Sequence, residues 1–453
     1  MQSADYHHVH RYGSTPRMRL TVIGIGYLGL THAACMADLG HEVRAIDVNR
    51  ERLEKAAAGE VPFFEPGLEP LLRKGLESGR LRFTTSYEEI AEFGDVHFLC
   101  VGTPEATDGA ADLTYVNAAA DALAPHLRSR CLIVGKSTVP VGTARNVLAK
   151  IQEAAPAGTQ VELAWNPEFL REGFAVQDTL RPDRFVFGVS SDWAEASLRK
   201  VFEQPLSIGI PGLAMDLETA ELVKVSANAF LATKISFINA IADACDAAGA
   251  DVTRLAEALA CDERIGRRSM SPGLGFGGGC LPKDIRAFRA SAMSLGVDSL
   301  VSLLSNVDEI NKSRRVRVVD MARDVLGGSL ADKRIAVLGL AFKPNSDDIR
   351  DSPSLEVCSR LVAEGARVAV HDPAAMENAS QLYPHLSYRG SVIEAAEDAD
   401  LLLHLTEWAE YRAIGPSALV QVVAQRNIID ARCVLDVNTW TSAGWSIRVL
   451  GRS

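Results

Sequence analysis

The chain predicts an α/β protein of two doubly wound parallel sheets joined by a long central helix and a further helical region. Three observations carry that expectation. Arg19 to Asp47 reads as strand, glycine turn, helix and a second strand closed by an acid. The same order of strand, turn, helix and acid-ended strand returns between Arg334 and Asp372. Between them, no Gly or Pro interrupts Leu213 to Ala248, which as one straight helix would be about 54 Å long.

Composition sets the frame for these elements. At 453 residues, two or three domains are expected, since a domain takes roughly 150. Apolar residues make up 47% of the chain, enough for real cores and outside the disordered class. The formal charge of −11 argues against nucleic acid or an anionic membrane as partner, so an anionic ligand needs a local cluster of Lys and Arg. No unbroken apolar run approaches 18 residues, and no spanning helix is expected. The start of the chain, with His7, His8 and His10 and no apolar core, reads as a disordered tail over residues 1–17, and no metal site is expected. The eight cysteines show neither a C-x-x-C nor a disulfide framework, which fits a reducing cytoplasm.

In the first α/β unit, strand Arg19–Ile23 runs into Gly24-Ile25-Gly26-Tyr27-Leu28-Gly29, and an alanine-rich helical pattern follows. A lone G-x-G-x-x-G is weak evidence. Between a strand and a helix, with Asp47 closing the next strand, it marks a Rossmann-like dinucleotide site. The glycines admit a pyrophosphate to the helix N-terminus, where unpaired N–H groups and the dipole favour negative charge. Asp47 would bind the ribose hydroxyls and repel a 2′-phosphate, so NAD is expected over NADP. Arg50 and Arg52 nearby keep the reverse open. Two further strands end at Gly102-Thr103-Pro104 and at Lys136-Ser137-Thr138, turns that a doubly wound sheet places at its cofactor edge.

After the strand Val161–Trp165 come Glu168 and Glu172, four apart. On a first helical turn they would share a face and could serve as acid and base. Within the long helical run Lys224 and Asn228 are also i,i+4, and Glu221 is a candidate partner for the lysine. The stretch from Pro272 to Asp284 is dense in Gly and Pro and holds Cys280, with Lys283 just beyond. Main-chain N–H groups and a nearby cation suit a thiolate, so Cys280 is the candidate nucleophile. In the second α/β unit the glycine fingerprint is absent and a different nucleotide ligand is expected. Lys343, Arg350 and Arg432 supply the positive charge.

Taken together, GIGYLGL (24–30), EPGL (65–68), STVP (137–140), NPEFLREG (166–173), ELVKVSANAFLATKISFIN (221–239), ERIG (263–266), GFGGGCLPKD (275–284) and AFKPNSDDIRDS (341–352) resemble the UDP-glucose 6-dehydrogenase family of nucleotide-sugar dehydrogenases. The resemblance runs from about Met18 to Leu435. It implies an NAD domain over 18–211, a central helical and dimerisation domain over 212–326 carrying Cys280, and a UDP-binding domain over 327–453. It also implies a four-electron, NAD-dependent oxidation of the sugar C6 alcohol to a carboxylate. Cys280 would trap the aldehyde as a thiohemiacetal that is oxidised to a thioester, and Glu168 would activate the hydrolytic water. Lys224 and Asn228 would stabilise the oxyanion, and Thr138 and Asp284 would hold a water for the first proton transfer.

The resemblance further assigns Gly24, Gly26, Tyr27, Leu28, Gly29, Asp47, Arg52, Thr103, Ser137, Thr138, Glu172, Lys283 and Arg350 to the cofactor. Glu168, Phe169, Leu170, Glu172, Lys224, Asn228, Phe276, Gly277, Cys280, Lys343 and Arg432 fall to the UDP-sugar. Arg264 would enter the neighbouring subunit's sugar site in a homodimer. Gly279 departs from many relatives, which carry Ser there. A GDP-mannose or UDP-N-acetylmannosamine substrate would use the same chemistry. A two-electron hydroxyacid dehydrogenase would share the Lys-x-x-x-Asn pair and need no cysteine, and a non-catalytic nucleotide sensor would need no nucleophile.

Overall fold

In the computed structural model, residues 17–452 are described, so the expected tail, apart from Arg17, lies outside the described residues. The chain divides into two compact units. Among the described residues, one comprises 17–104 and 111–224, the other 105–110 and 225–452.

The first unit is built on eight strands: β1 (Arg19–Ile23), β2 (Glu42–Ile46), β3 (Leu81–Thr84), β4 (Val96–Leu99), β5 (Cys131–Gly135), β6 (Val161–Trp165), β7 (Phe185–Gly188) and β8 (Gly212–Met215). Their spatial order is β3-β2-β1-β4-β5-β6-β7-β8. The first six are parallel, with the order reversing between β1 and β4, which is the doubly wound pattern. Pairing turns antiparallel at Trp165 opposite Gly188. Both faces of this sheet are covered because its central strands are apolar at successive positions, whose side chains point to opposite faces. Leu132 and Val134 pack into one core, while Cys131 and Ile133 pack into the core on the opposite face.

The long helix starts later than the composition suggests. Leu213 belongs to β8, which pairs with β7, and the helix spans Leu217–Ala248. Asp216 sets the boundary by accepting the Thr219 N–H at 2.8 Å, and Gly249 in the left-handed region closes the other end. At 32 residues the helix is about 48 Å long. By length and composition alone it is apolar enough to cross a membrane, although Lys224 and Lys234 interrupt its apolar run, and 44% of its most apolar window is buried within the protein.

In the second unit six parallel strands, β9 (Arg334–Leu338), β10 (Arg367–His371), β11 (Ser387–Tyr388), β12 (Leu401–His404), β13 (Asn427–Asp430) and β14 (Ser446–Val449), lie in the order β11-β10-β9-β12-β13-β14. This repeats the order of the first six strands, as expected from the recurring strand–helix–strand pattern. Helices Leu281–Ser294 and Asp298–Val325 pack in the same unit with the later turns of the long helix. Ser236 there is small enough to donate to the Val307 carbonyl at 2.9 Å.

Candidate active site

The glycine turn after β1 meets three separate demands. Gly24 takes φ +90°, which favours glycine, and a Cβ on Gly29 would lie 1.7 Å from the Gly24 carbonyl oxygen. At Gly26 nothing stands within 4 Å of the Cβ position, so the backbone is open to a ligand at the N-terminus of helix Tyr27–Asp38. Asp47, just past β2, accepts the Ile25 and Asn49 N–H groups, each at 2.8 Å, and pairs with Arg52 at 3.3 Å. Arg52 is thereby drawn to the acid and lines a pocket of about 270 Å³ with Gly26, Tyr27 and Lys55. Neighbouring strand ends are laced together: Thr103 donates to the Thr138 carbonyl at 2.8 Å and Ser137 to the Val101 carbonyl at 2.6 Å.

Glu168 and Glu172 do not share a helical face. Residues 166–171 carry no regular structure, residues 172–174 turn, and the helix begins only at Ala175. The reason lies in where the backbone donors go. Glu168 Oε1 accepts the N–H groups of Phe169 (2.8 Å) and Leu170 (3.1 Å), while Glu65 accepts those of Gly173 (2.7 Å) and Ala175 (2.8 Å). Buried Glu65 also accepts from the Tyr27 hydroxyl, and burial together with that carboxylate pushes the Tyr27 phenol up. The Glu168 loop is thus tied to the first residue of the dinucleotide-site helix. Phe169 has the Arg184 guanidinium 4.0 Å from its ring centre and the Lys224 ammonium at 5.5 Å. Glu221 is not the partner of Lys224. Its two oxygens accept the Gly142 and Ala144 N–H groups, each at 2.7 Å, at the start of helix Thr143–Ala154.

In the second unit Cys280 is the residue that opens helix Leu281–Ser294, with Pro282 in the first turn. A helix amino end favours negative charge at such a sulfur. Cys280 is exposed, whereas Cys35, Cys100, Cys131, Cys245 and Cys358 are buried; burial pushes the Cys100, Cys131 and Cys358 thiols up to about 12. One turn into the helix, buried Asp284 accepts the Asn228 amide at 2.6 Å and pairs with Lys283 at 2.8 Å. The glycine-rich stretch before Cys280 is held rather than loose. Gly273 donates to Asn239 (2.8 Å), Phe276 to Asn311 (2.8 Å) and Gly278 to the Arg350 carbonyl (2.9 Å). The Phe276 ring is buried with Val225, Ile285 and Phe288. Gly277 and Gly279 allow close approach: a Cβ would lie 2.4 Å from the Asp351 carbonyl in the first case and 2.3 Å from the Arg350 guanidinium in the second. Arg350 therefore fills the space that a Ser at 279 would claim.

The other cations chosen for an anionic ligand engage protein groups here. Arg432 reaches the carbonyls of Leu405 (2.6 Å), Gly275 (3.2 Å) and Phe342 (3.2 Å), joining the cysteine loop to the second sheet. Arg350 forks onto Asp348 at 2.6–3.0 Å. The Lys343 ammonium lies 5.3 Å from the Phe342 ring centre. Arg264 is 89% exposed at its side chain and paired with Asp262 at 2.6 Å.

Residues 18–206, 218–313 and 336–437 match the NAD binding, central and UDP binding domains of one family, respectively. The chain belongs to the UDP-glucose/GDP-mannose dehydrogenase family. It is 40% identical over 435 residues to a UDP-glucose 6-dehydrogenase of Bacillus subtilis (strain 168), covering 96% of this chain and 93% of that one. Another of that name, from Rhizobium meliloti (strain 1021), is 40% identical over 440 residues, covering 96% of this chain and 100% of the relative. A solved UDP-glucose dehydrogenase from the hyperthermophilic archaeon Pyrobaculum islandicum superposes with a TM-score of 0.89 at 37% identity, covering 97% and 99% of the two chains.

As a member of this dehydrogenase family the chain uses NAD. Its residues fit that cofactor, with Gly26 open for phosphate and Asp47 carrying the charge at the end of β2. Three side chains that the sequence does not single out contact the candidate site residues or each other here. Lys136 and Asn166 directly follow two wholly buried strand ends, a position where a polar side chain must find a partner at the sheet edge. Glu65 stands in EPGL, a motif whose role became visible only with the Tyr27 and Gly173 contacts.

Proposed function

We propose that this enzyme oxidises UDP-glucose to UDP-glucuronate, taking the C6 alcohol to the carboxylate while the carbon is held on Cys280. The observation that carries the reading is the exposed thiol at the start of a 14-residue helix, with the Asn228–Asp284–Lys283 cluster one turn behind it. A two-electron dehydrogenase has no use for a sulfur so placed.

NAD, when bound, accepts the electrons of both oxidations, and the chain's own groups do the rest. Thr138 and Asp284 hold the water that takes the first proton. Cys280 sulfur then adds to the C6 aldehyde, and after the second oxidation the carbon is a thioester. Lys224 and Asn228, one helical turn apart, stabilise negative charge on the C6 oxygen. Water attacks the acyl carbon and passes a proton to Glu168, the carbon–sulfur bond breaks, and Cys280 leaves as thiolate. Glu172, Lys283 and Arg350 serve the cofactor. Phe169, Leu170, Phe276, Gly277, Lys343 and Arg432 serve the UDP-sugar in domains of the extent expected above.

A homodimer is supported by Phe230 and Phe237, 66% and 51% exposed and two helical turns apart on the long helix. In that dimer Arg264 reaches the neighbouring sugar site. An NAD enzyme carrying eight cysteines as thiols belongs in a reducing cytoplasm. The test is stoichiometry with a nucleotide-sugar panel. UDP-glucose should yield two reduced dinucleotides per sugar consumed, and Cys280→Ser should yield no acid. A single reduced dinucleotide with aldehyde as end product, or an active Cys280→Ser, would remove the covalent mechanism. Heterodimers of Arg264→Ala and Cys280→Ser subunits should regain activity, and their silence would remove the shared site.

A further inference from the structure

Lys136 follows β5 directly, its side chain is 3% exposed, and its ammonium makes three contacts. It lies 3.1 Å from Glu168 Oε2, 2.9 Å from Asn166 Oδ1 and 3.5 Å from the Asn166 carbonyl. Asn166 follows the neighbouring strand β6 and is oriented by donating its own amide to the Val186 carbonyl at 2.9 Å. Glu168 is therefore gripped on both oxygens, one by Lys136 and the other by the Phe169 and Leu170 N–H groups. Such a buried cation is tolerable only with a partner of opposite charge, and the same holds in reverse for a carboxylate at its side.

We infer that Lys136 is a positioning residue for Glu168, the counter-ion that holds the carboxylate in place for its work on the thioester's water. The inference rests on the reading of Glu168 as the water-activating base. Other groups around Glu168 do not duplicate the task. His32 and Asp178 line the same small cavity as Lys136 and Glu168. His32 is wholly buried, and burial and then the Lys136 charge hold its ring well below the usual range and neutral. Asp178 is engaged by Arg171 at 2.7 Å. Arg184 and Lys224 stand over the Phe169 ring. Cys35 and Cys100 beneath are neutral thiols that burial pushes up, with the Glu168 charge adding to the effect.

The experiment uses the full-length enzyme with UDP-glucose and NAD, and compares Lys136→Met, Lys136→Arg and Glu168→Gln. In Lys136→Met the initial burst of dinucleotide reduction should persist while steady turnover falls about 100-fold, the scale of a general base. Intact-protein mass should then show the acyl group on Cys280. The acid limb of its hydrolysis profile should move to higher pH, because an uncompensated carboxylate holds its proton longer. Lys136→Arg should restore the limb. An unshifted acid limb, or equal loss of burst and steady rate, would overturn the inference by leaving Lys136 a structural role only.

If Glu168→Gln hydrolyses the thioester at the normal rate, the base assignment itself falls. If Glu168→Gln stalls with the acyl group bound and Lys136→Met does not, only the present inference falls. Thermal melting covers the case where Lys136→Met does not fold. Adding Glu168→Gln to it should recover a folded protein, since the unpaired charge is gone. Failure of the double variant to fold would also count against the pairing.

Discussion

Asn228 on the long helix donates its amide to Asp284 across 2.6 Å, so two helices far apart in sequence are joined one turn behind Cys280. The contact is buried at both ends, which makes its charge state consequential.

Replacing Asn228 with Asp would set two carboxylates at that separation. Both cannot ionise there, so one would retain a proton into the neutral range, partly offset by Lys283. Turnover at neutral pH should fall about tenfold or more, and the pH–rate profile should gain a titration that the parent enzyme lacks. An unchanged profile would show the contact to be dispensable.

Glu65→Gln tests the tie between the Tyr27 helix and the Glu168 loop. An amide offers one acceptor oxygen and two donors to a site that presents the Tyr27 hydroxyl and the Gly173 and Ala175 N–H groups. Leaving buried donors unmatched should cost about 1–3 kcal/mol, read as a lower urea midpoint. A midpoint within error of the parent would refute the network's role.

Asp47→Asn keeps an acceptor for the Ile25 N–H and removes the charge that holds Arg52. Arg52 should then be available to a 2′-phosphate, and preference for NAD over NADP should fall on the order of tenfold, about 1.4 kcal/mol. The measurement is kcat/KM with each dinucleotide.

Asp430 governs an acid-sensitive part of the second unit. Burial alone would raise its carboxyl. Bonds from His404 and from the Leu435 and Arg432 N–H groups outweigh that and hold it below the usual range. A depressed folded value means the contribution to stability is present above the unfolded value of about 3.9 and lost as pH falls through the folded one. Asp430→Asn should therefore be less stable than the parent at neutral pH, and the gap in urea midpoint should shrink below about pH 4. A gap independent of pH would assign the effect to packing.

How much of this was legible beforehand varied with the kind of interaction. Nine strands of the two sheets were readable because each is a short apolar run closed by a turn residue, as in Cys131–Gly135 and Arg334–Leu338, whereas β3, β7, β8, β11 and β14 were not. The start of the long helix was misplaced because Leu213 to Met215 suit strand and helix alike, and only pairing with β7 decides between them. The i,i+4 spacings misled at Glu168 and Glu172, where side-chain acceptors had already claimed the backbone donors a helix would need. Glu221 looked like a partner for Lys224 on spacing, yet Gly142 and Ala144, distant in sequence, hold it.

By itself the order of residues determined the central parallel strands of the two sheets, the dinucleotide turn at Gly24–Gly29 and the thiol set apart by glycine and proline. These depend on local backbone freedom and on the period of apolar side chains. Only the tertiary structure decided which charges are spoken for: Lys136 by Glu168, Arg52 by Asp47, Asp284 by Asn228 and Lys283. An ion's behaviour is set by its neighbours within a few ångströms and by its exclusion from water, and neither is written in the spacing of the chain.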